Sequence, residues 1–237
     1  MTSLNKREKE FFFSIKIIAF DFDDTLVDEK ESQKKRWLKV LKEFKHLSNK
    51  FEDTFIKIFE EKGHKYKYLI NETINQLYID SSNISKIAKK FRVTKSESEK
   101  TFKGAMGILD LLTNYKIKKG IISKGVKSYQ QDRILLSGIK NKLDFIYYNP
   151  KSNLSKIQLF KKAMLDLKIN NPSELLYVGN NFDEDAKPAL KLGMKVIIIG
   201  DYTLINQNDN LIYVNNLTKI NDLFQKYLHV KTTNVVK

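Results

Sequence analysis

The sequence predicts an α/β fold, with a parallel sheet flanked by helices and a small helical bundle inserted after the first strand. From about residue 103 onward, short apolar segments alternate with amphipathic segments of helix length, the pattern of a parallel sheet with crossover helices. Residues 28–100 differ, because they lack proline, contain only one glycine (Gly63) and repeat apolar residues at helical spacing. An apolar run at about 15–20 precedes them, and we expect it to be the first buried strand.

These patterns divide the chain into two predicted domains. Residues 1–27 and 101–237 form the α/β core, and residues 28–100 form a helical cap of four short amphipathic helices. The breaks between these helices are expected near 48–49, 63–64 and 80–82. The apolar residues of the cap, Tyr68 and Tyr78 among them, are expected to form mostly its own core. Because the cap follows the first strand directly, we expect it to lie over the carboxyl end of that strand as a lid.

Each remaining element of the core is placed by its own pattern. The expected strands are at about 117–123, 145–148, 175–178, 196–199 and, as an edge strand, 211–214. The expected helices are at 104–114, 130–137, 156–167, one ending near 190, and 220–228. Gly193 is the expected C-terminal cap of the helix that ends near 190. Residues 1–14 are expected to be a charged lead-in whose three phenylalanines cover an edge of the core.

The composition is that of a globular protein with a sizeable core. Hydrophobic residues make up 41% and charged residues 30% of the 237 positions, which fits a folded soluble chain rather than a disordered one. The formal net charge of +15 favours anionic partners such as phosphorylated metabolites, membrane surfaces or nucleic acid. The basic residues are spread out, however, since residues 28–100 hold 18 Lys and Arg against 12 Asp and Glu. This spread argues against a specific nucleic-acid partner.

Cysteine content and hydropathy set further limits. The absence of cysteine excludes disulfides, thiol catalysis and Cys-ligated zinc. The apolar residues near the start are not expected to form a secretory segment, because Lys16 interrupts them and Glu8 and Glu10 precede them. No other stretch approaches 18 uninterrupted apolar residues. We therefore expect a cytoplasmic protein, monomeric or homodimeric, without a membrane partner.

Polar side chains collect at the expected carboxyl ends of three strands. Asp21 and Asp23 follow the first strand, and Ser123 ends the second. The turn 179–185 follows a later strand, and Lys156 opens the helix before it. Parallel sheets bind ligands outside these strand ends. Phosphoryl transfer needs a nucleophile, a proton donor, donors to the phosphoryl oxygens and a cation, and these residues supply those parts. Taken alone, the acids after the first strand also fit a solvated acidic turn.

These features, in this order, resemble the motifs of the haloacid dehalogenase superfamily over nearly the whole chain. The first motif is similar to Asp21-Phe22-Asp23-Asp24-Thr25, the second to Ile121-Ile122-Ser123-Lys124-Gly125, the third to Lys156 and the fourth to Gly179 through Asp185. The resemblance implies a Rossmann-like core with a helical cap, in a phosphatase-like branch that uses Mg²⁺. Asp23 is informative, because the superfamily's dehalogenases and cation pumps lack an acid there, while its phosphatases and phosphomutases have one.

The resemblance also implies a role for each site residue. Asp21 would be the nucleophile that becomes an aspartyl phosphate. Asp23 would protonate the leaving group and then deprotonate the attacking water. The implied contacts to the phosphoryl group come from Thr25, Ser123, Lys124, Gly125 and Lys156. The implied ligands of Mg²⁺ are Asp21, Asp23 through its backbone carbonyl, Asn180 and Asp185. Asp24 is expected to be a bystander.

Some assignments stay open at the level of sequence. The superfamily usually has Asp where this chain has Asn180, whose amide oxygen lacks the charge of a carboxylate. Lys151 rivals Lys156, which is preferred because it heads a helix and can reach back across the strand ends. In the cap, the candidate substrate contacts are Arg36, Lys39 and His46, although surface positions suit them better.

The favoured function is a Mg²⁺-dependent phosphatase acting on a small phosphorylated metabolite. A phosphomutase is the enzymatic alternative, because it shares Asp21 and Asp23 but shuts water out of the site. The non-enzymatic alternative is a module that binds phosphorylated ligands or nucleic acid, since Asn180 weakens the expected metal site of a basic protein.

Overall fold

The chain forms two compact units in the computed structural model, which describes residues 6–65, 67–149, 153–200 and 208–233. The larger unit combines the segment up to Val27 with the segment from Thr101 onward, and the smaller unit is Asp28–Lys100. The smaller unit is an insertion directly after the first strand and the turn that follows it.

The larger unit is built on a parallel sheet of six strands. In chain order they are β1 (Ile17–Phe20), β2 (Lys118–Val126), β3 (Phe145–Asn149), β4 (Leu175–Gly179), β5 (Lys195–Ile199) and β6 (Leu211–Val214). Their spatial order is β3-β2-β1-β4-β5-β6, and every neighbouring pair is parallel. The predicted α/β fold is therefore confirmed. The chain moves outward from β1 in one direction and then from β4 in the other, and the crevice at such a switch point is where open parallel sheets bind ligands.

Ten α-helices complete the described part of the chain. They are α1 (Lys6–Phe13), α2 (Glu29–Glu43), α3 (Phe51–Lys62), α4 (Leu69–Gln76), α5 (Ser82–Val93), α6 (Ala105–Asn114), α7 (Lys127–Leu136), α8 (Lys156–Asp166), α9 (Lys187–Lys191) and α10 (Leu217–Thr233). Helices α2 to α5 belong to the smaller unit, and the others belong to the larger one.

Helices cover both faces of the sheet. On one face, apolar side chains of α1, α6 and α10 pack with Ile18 and Phe20 of β1. On the other face, α8 and α9 pack with Ile17 and Ala19 of the same strand. Successive side chains of a strand point to opposite faces, and all four of these are buried. Burial on both faces explains why β1 reads as an uninterrupted apolar run.

The structure corrects the expected ends of several elements. The lead-in contains helix α1, in which Phe11 and Phe12 are buried as predicted, whereas Phe13 is 78% exposed. Strand β2 continues past 123 to Val126, and α7 begins immediately afterwards rather than at 130. Helix α10 starts before the expected residue 220, because the side-chain oxygen of Asn216 accepts a hydrogen bond from the backbone N–H of Lys219 and caps it.

The smaller unit has its own apolar core, to which all four of its helices contribute. Trp37 of α2 stacks on Phe91 of α5 with ring centroids 3.7 Å apart. Tyr68 and Tyr78 were predicted to join this core, and that prediction is wrong: Tyr68 is 49% and Tyr78 97% exposed. Both tyrosines lie at the ends of α4, just outside its helical turns.

Arg36 is buried in the smaller unit rather than lying at its surface. Its guanidinium donates to the backbone carbonyls of Phe91 and Thr94, and it also lies 4.2 Å from the Phe91 ring. These carbonyls close the C-terminal end of α5, so Arg36 acts as a cap for that helix. Lys39 is exposed and pairs with Glu97, and His46 is exposed beside Phe44.

Candidate active site

The chain forms a tight turn directly after β1, and this turn contains Asp21 and Asp23. The N–H of Asp21 donates to the carbonyl of Val178 at 2.8 Å, which extends the pairing with β4 by one residue. The N–H groups of Leu26 and Val27 then both donate to the Phe22 carbonyl, at 3.0 and 3.2 Å. Asp24 takes the left-handed conformation within this turn, with φ at 53°, a conformation that Asp tolerates better than most residues. Asp24 therefore has a structural role, because it provides the left-handed residue of this turn.

Lys156 lies between two carboxylates. Its Nζ is 2.9 Å from Oδ1 of Asp21 and 3.0 Å from Oδ1 of Asp185. The lysine occupies the first turn of α8, where Ser155 and Gln158 form a capping box that fixes the start of the helix. The Lys156 side chain is 4% exposed, so this pairing is shielded from water.

The shared lysine does not fully compensate the buried acids. Burial raises the pKa of Asp21 from 3.8 to about 7, against the lowering effect of Lys156 and with further raising by Asp185 and Asp23. Burial alone would lower the pKa of Lys156, but the charges of Asp21 and Asp185 outweigh it and raise that pKa. Burial, reinforced by the same two acids, raises the pKa of Tyr177 well above 10. Without a further cation, Asp21 therefore keeps its proton to a higher pH than an ordinary aspartate.

Asp185 is held by the turn that follows β4. Its Oδ2 accepts hydrogen bonds from the backbone N–H groups of Asn180 and Asn181, at 3.2 and 3.1 Å. Its Oδ1 faces Lys156 and the Tyr177 hydroxyl, the latter at 3.4 Å. A Cβ on Gly179 would lie 2.4 Å from Oδ2 of Asp185. Only glycine leaves room for this carboxylate against the backbone.

Asn180 and Thr25 meet across β1 and β4. The buried Thr25 hydroxyl donates to the side-chain oxygen of Asn180 at 3.4 Å. The oxygen of the Asn180 amide is therefore oriented toward the end of β1, where Asp21 and Asp23 lie. This orientation is the one that an oxygen ligand at this position requires.

Ser123 lies where the pairing of β2 with β3 becomes irregular. Ser123 is opposite Tyr148, and the next pair is Val126 with Asn149, so Lys124 and Gly125 bulge out of the ladder. The bulge turns the Gly125 N–H back onto the Ser123 Oγ at 3.0 Å. Lys124 is exposed and lies 3.4 Å from Glu184.

Two side chains of α7 that the sequence prediction missed reach the site. Arg133 pairs with one carboxylate oxygen of Asp23, and Gln130 donates to the other. Both are buried. Their signal in the sequence was a pair of long polar residues three positions apart, next to Ile134, on a helix face that faces the core.

Five of the predicted residues fall into two contact groups, apart from the pair Thr25 and Asn180. Asp21, Lys156 and Asp185 form one, and Asp23 joins Ser123 through Gln130 in the other. Lys124 lies away from both, at the surface. Lys151, the rival of Lys156, lies outside the described residues. The contacts of Lys156 support the preference for it.

The donor set fits a divalent cation with oxygen ligands. Asp21 and Asp23 follow β1, Asn180 follows its neighbour β4, and carboxylate, carbonyl and amide oxygens are the donors that Mg²⁺ takes. Asp21 and Asp185 share one lysine, so the pair keeps a negative charge that a cation would offset. Both oxygens of Asp185 accept from protein groups, Oδ2 from two backbone N–H groups and Oδ1 from Lys156 and the Tyr177 hydroxyl.

Comparisons with known proteins identify the family of the chain. A family model described as haloacid dehalogenase-like hydrolase matches residues 18–199. The chain is 25% identical over 221 residues to the glyceraldehyde 3-phosphate phosphatase of Methanocaldococcus jannaschii, covering 88% of this chain and 96% of the relative.

Solved structures share the fold. The Mg²⁺-bound hydrolase YfnB of Bacillus subtilis matches with a TM-score of 0.63 at 17% identity, covering 89% of this chain and 99% of that one. A 2-haloacid dehalogenase of Pseudomonas syringae matches with a TM-score of 0.58 at 16% identity, covering 90% and 99%. None of the helices within the described ranges is both long and apolar enough to cross a membrane. The chain belongs to the haloacid dehalogenase-like hydrolases.

Proposed function

We propose that this protein is a Mg²⁺-dependent phosphatase that hydrolyses a small phosphorylated metabolite through an aspartyl phosphate. The main support for the proposal is that the two acids at the end of β1 have different partners. Asp21 lies against Lys156, whereas Asp23 lies against Arg133 and Gln130. One carboxylate is thus placed beside a cation that can neutralise a phosphoryl group, and the other is held independently for proton transfer.

The chemistry then runs in two steps on this chain's own residues. An oxygen of Asp21 forms a bond to phosphorus while the ester oxygen leaves with the bonding electrons and takes a proton from the Asp23 carboxyl. The Asp23 carboxylate next removes a proton from water, whose oxygen attacks the phosphorus. The bond between phosphorus and Asp21 breaks, and inorganic phosphate is released. In both steps Ser123 donates a hydrogen bond to the phosphoryl group, and Lys156 neutralises part of its negative charge.

Asp21, the Asp23 backbone carbonyl and the Asn180 amide oxygen are the proposed direct ligands of Mg²⁺. When bound, the ion supplies positive charge that offsets the phosphate and the Asp21 carboxylate. Asp185 has a different part, because its oxygens hold Lys156 and the backbone after Gly179. We propose that Asp185 does not bind the ion directly but orients Lys156 and adds negative charge near the ion.

Similarity to the Methanocaldococcus jannaschii phosphatase favours short sugar phosphates as the first substrates to try. The similar fold of a 2-haloacid dehalogenase does not favour dehalogenation, because Asp23 provides a proton donor that cleavage of a phosphate ester uses. The net charge of +15 suits anionic substrates in either case. The role of residues 28–100 as a lid remains a prediction.

The test is hydrolysis of nitrophenyl phosphate with and without Mg²⁺ by the wild type and by Asp21→Asn. We expect metal-dependent turnover by the wild type and a loss of about a thousandfold or more in the variant. A panel of glyceraldehyde 3-phosphate, sugar phosphates, nucleotides, phosphoglycolate and a 2-haloacid would follow. Absence of phosphate release under all conditions, or halide release from the haloacid, would overturn the proposal. Transfer of phosphate between positions of one sugar, without release, would favour a phosphomutase.

A further inference from the structure

Two donors from one helix hold the Asp23 carboxylate. Nη1 of Arg133 pairs with Oδ1, and Nε2 of Gln130 donates to Oδ2. The two donors lie one helical turn apart on α7 and also contact each other, since Arg133 Nη1 is 3.4 Å from Gln130 Oε1. Donors on both carboxylate oxygens fix the rotation of the Asp23 side chain as well as its position.

Arg133 is itself immobilised. It is among the largest fully buried side chains of the described chain, at 1% exposure. Its guanidinium carbon lies 5.3 Å from the centre of the Phe22 ring and 4.9 Å from that of Tyr129, distances at which a cation interacts favourably with an aromatic ring. A residue packed in this way keeps one orientation, so the group it pairs with is held in one orientation too.

Gln130 connects the proton-transfer residue to the phosphate-binding residue. Its Nε2 also lies 3.3 Å from Oγ of Ser123, so one amide group contacts both Asp23 and Ser123. A Cβ on Gly125 would lie 2.1 Å from this Nε2 and 2.4 Å from Cγ of the same side chain. The second motif therefore keeps glycine where Gln130 crosses the bulge.

Core stability does not by itself explain this arrangement. Burial of an arginine carries a large desolvation penalty, and well-packed apolar residues at such a position are often as stabilising. Pre-organised acids and bases do require such supporting contacts. The buried guanidinium pairs with Asp23, whose side chain is 22% exposed and is the proposed proton-transfer group. The cost of burying Arg133 therefore has a function at this position.

We propose that Arg133 and Gln130 are positioning residues that hold Asp23 in register with Ser123, so that its proton faces the leaving oxygen of a phosphate ester bound there. The inference rests on the proposed phosphatase function. Neither residue touches the reacting atoms in this account. Their effect passes through Asp23, and it grows with the need of the leaving group for a proton.

The experiment compares two esters that differ in this need. Nitrophenolate leaves as a stable anion and needs little protonation, whereas the alkoxide of glycerol 3-phosphate or glyceraldehyde 3-phosphate needs a proton. We would measure kcat/KM with Mg²⁺ for the wild type, Asp23→Asn, Arg133→Met, Arg133→Lys and Gln130→Leu. Arg92→Met, which removes an exposed arginine from α5, is the matched control for loss of charge.

We expect Asp23→Asn to lower kcat/KM for the alkyl phosphate by about a hundredfold or more and to lower the aryl value much less. Arg133→Met should repeat this selective loss at about 10- to 100-fold, with a smaller selective loss in Gln130→Leu. Arg133→Lys should recover part of the alkyl activity, and Arg92→Met should match the wild type. In the Asp23→Asn background, Arg133→Met should cause no further selective loss.

Equal losses for both esters would overturn the inference and assign Arg133 and Gln130 a structural role. A gain in alkyl activity on removal of Arg133 would also overturn it, because the pair would then restrain Asp23 unproductively. If Arg133→Met does not fold, Gln130→Leu decides, since it leaves the ion pair intact. The proposed function fails separately, through a wild type that hydrolyses neither ester.

Discussion

The ammonium nitrogen of Lys156 lies 2.9 Å from Oδ1 of Asp21, and the same nitrogen also contacts Asp185. One cation therefore serves two buried acids. Burial raises the pKa of Asp21 to about 7, and the charges of Asp185 and Asp23 add to this rise while Lys156 opposes it. Asp21, the proposed nucleophile, therefore lies where a second cation would be favourable, and substitutions can test this arrangement.

Replacing Lys156 should damage both activity and stability. In Lys156→Met we expect kcat for nitrophenyl phosphate to fall at least about a hundredfold, because the phosphoryl charge loses its neutralising group. The free energy of unfolding should fall by about 3–5 kcal/mol above neutral pH, since Asp21 and Asp185 lose their common partner. Steady-state kinetics and urea unfolding measure the two effects.

Two other lysines provide the controls for this result. Lys161→Met removes an exposed lysine from the same helix and should change neither quantity appreciably. Lys151→Met tests the rival assignment, and we expect its activity to stay within about threefold of the wild type. A large loss in Lys151→Met together with an active Lys156→Met would exchange the two assignments.

Asp21→Asn should stabilise the metal-free protein at alkaline pH. Its folded-state pKa of about 7 exceeds its ordinary value of 3.8, so between these values the folded chain binds more protons than the unfolded chain. The free energy of unfolding of the wild type therefore falls as pH rises through this window. The variant lacks this fall and should be more stable by about 1–3 kcal/mol near pH 8 in EDTA.

Urea unfolding of both proteins near pH 4 and pH 8 in EDTA measures this effect. The difference should be small at the lower pH, which lies at the start of this window, because Asp21 is protonated in the folded chain and only about half ionised in the unfolded chain there. Excess Mg²⁺ at the higher pH should stabilise the wild type more than the variant, because the ion binds the folded carboxylate. A variant that is less stable than the wild type at pH 8 in EDTA would contradict the raised pKa assigned to Asp21.

Gly179→Ala should disturb the site through Asp185. The new Cβ would lie 2.4 Å from Oδ2 of that carboxylate, so Asp185 must move and Lys156 with it. We expect a loss of about 1–3 kcal/mol of stability and a clear fall in kcat. The matched control is Gly107→Ala in α6, where a Cβ meets no atom within 4 Å; it should gain about 0.5–1 kcal/mol. Unchanged activity in Gly179→Ala would separate Asp185 from the chemistry.

Asn180→Asp should lower the Mg²⁺ concentration that gives half-maximal activity, by about three- to tenfold, and keep kcat. A carboxylate adds the negative charge that the amide lacks, and it can still accept the hydrogen bond that Thr25 now donates to Asn180. A Mg²⁺ titration of the hydrolysis rate measures the shift. An inactive but folded Asn180→Asp would show that the amide is required and that its assignment as a ligand is wrong.

Much of the site was predictable because its residues end short apolar strands. Asp21, Ser123 and Asn180 follow buried runs, and the rule that parallel strands end at one edge brings them together without further knowledge. Lys156 was preferred because it heads a helix, and its contacts with Asp21 and Asp185 agree with that reason.

The unpredicted parts depend on tertiary contacts that leave little local signal. Arg133 and Gln130 appear in the sequence as ordinary polar helix residues, and only packing shows them buried against Asp23. The same holds for Arg36, whose partners Phe91 and Thr94 lie far along the chain. The prediction for Tyr78 failed in the opposite way. Its aromatic ring suggested a core position, but the residue follows the end of α4 and is exposed.

The proposed phosphatase function requires that Asp21 accept the phosphoryl group. Its most direct test is a rapid-quench experiment on Asp23→Asn with nitrophenyl phosphate and Mg²⁺. This variant keeps Asp21 but lacks the base proposed to activate water. Nitrophenolate is a leaving group that needs little protonation, so the first step should still occur. We expect a burst of about one nitrophenolate per active site, and mass spectrometry should find one phosphoryl group on the peptide that contains Asp21. A wild type that hydrolyses the ester, combined with no burst or with the phosphoryl group on another residue, would contradict the account.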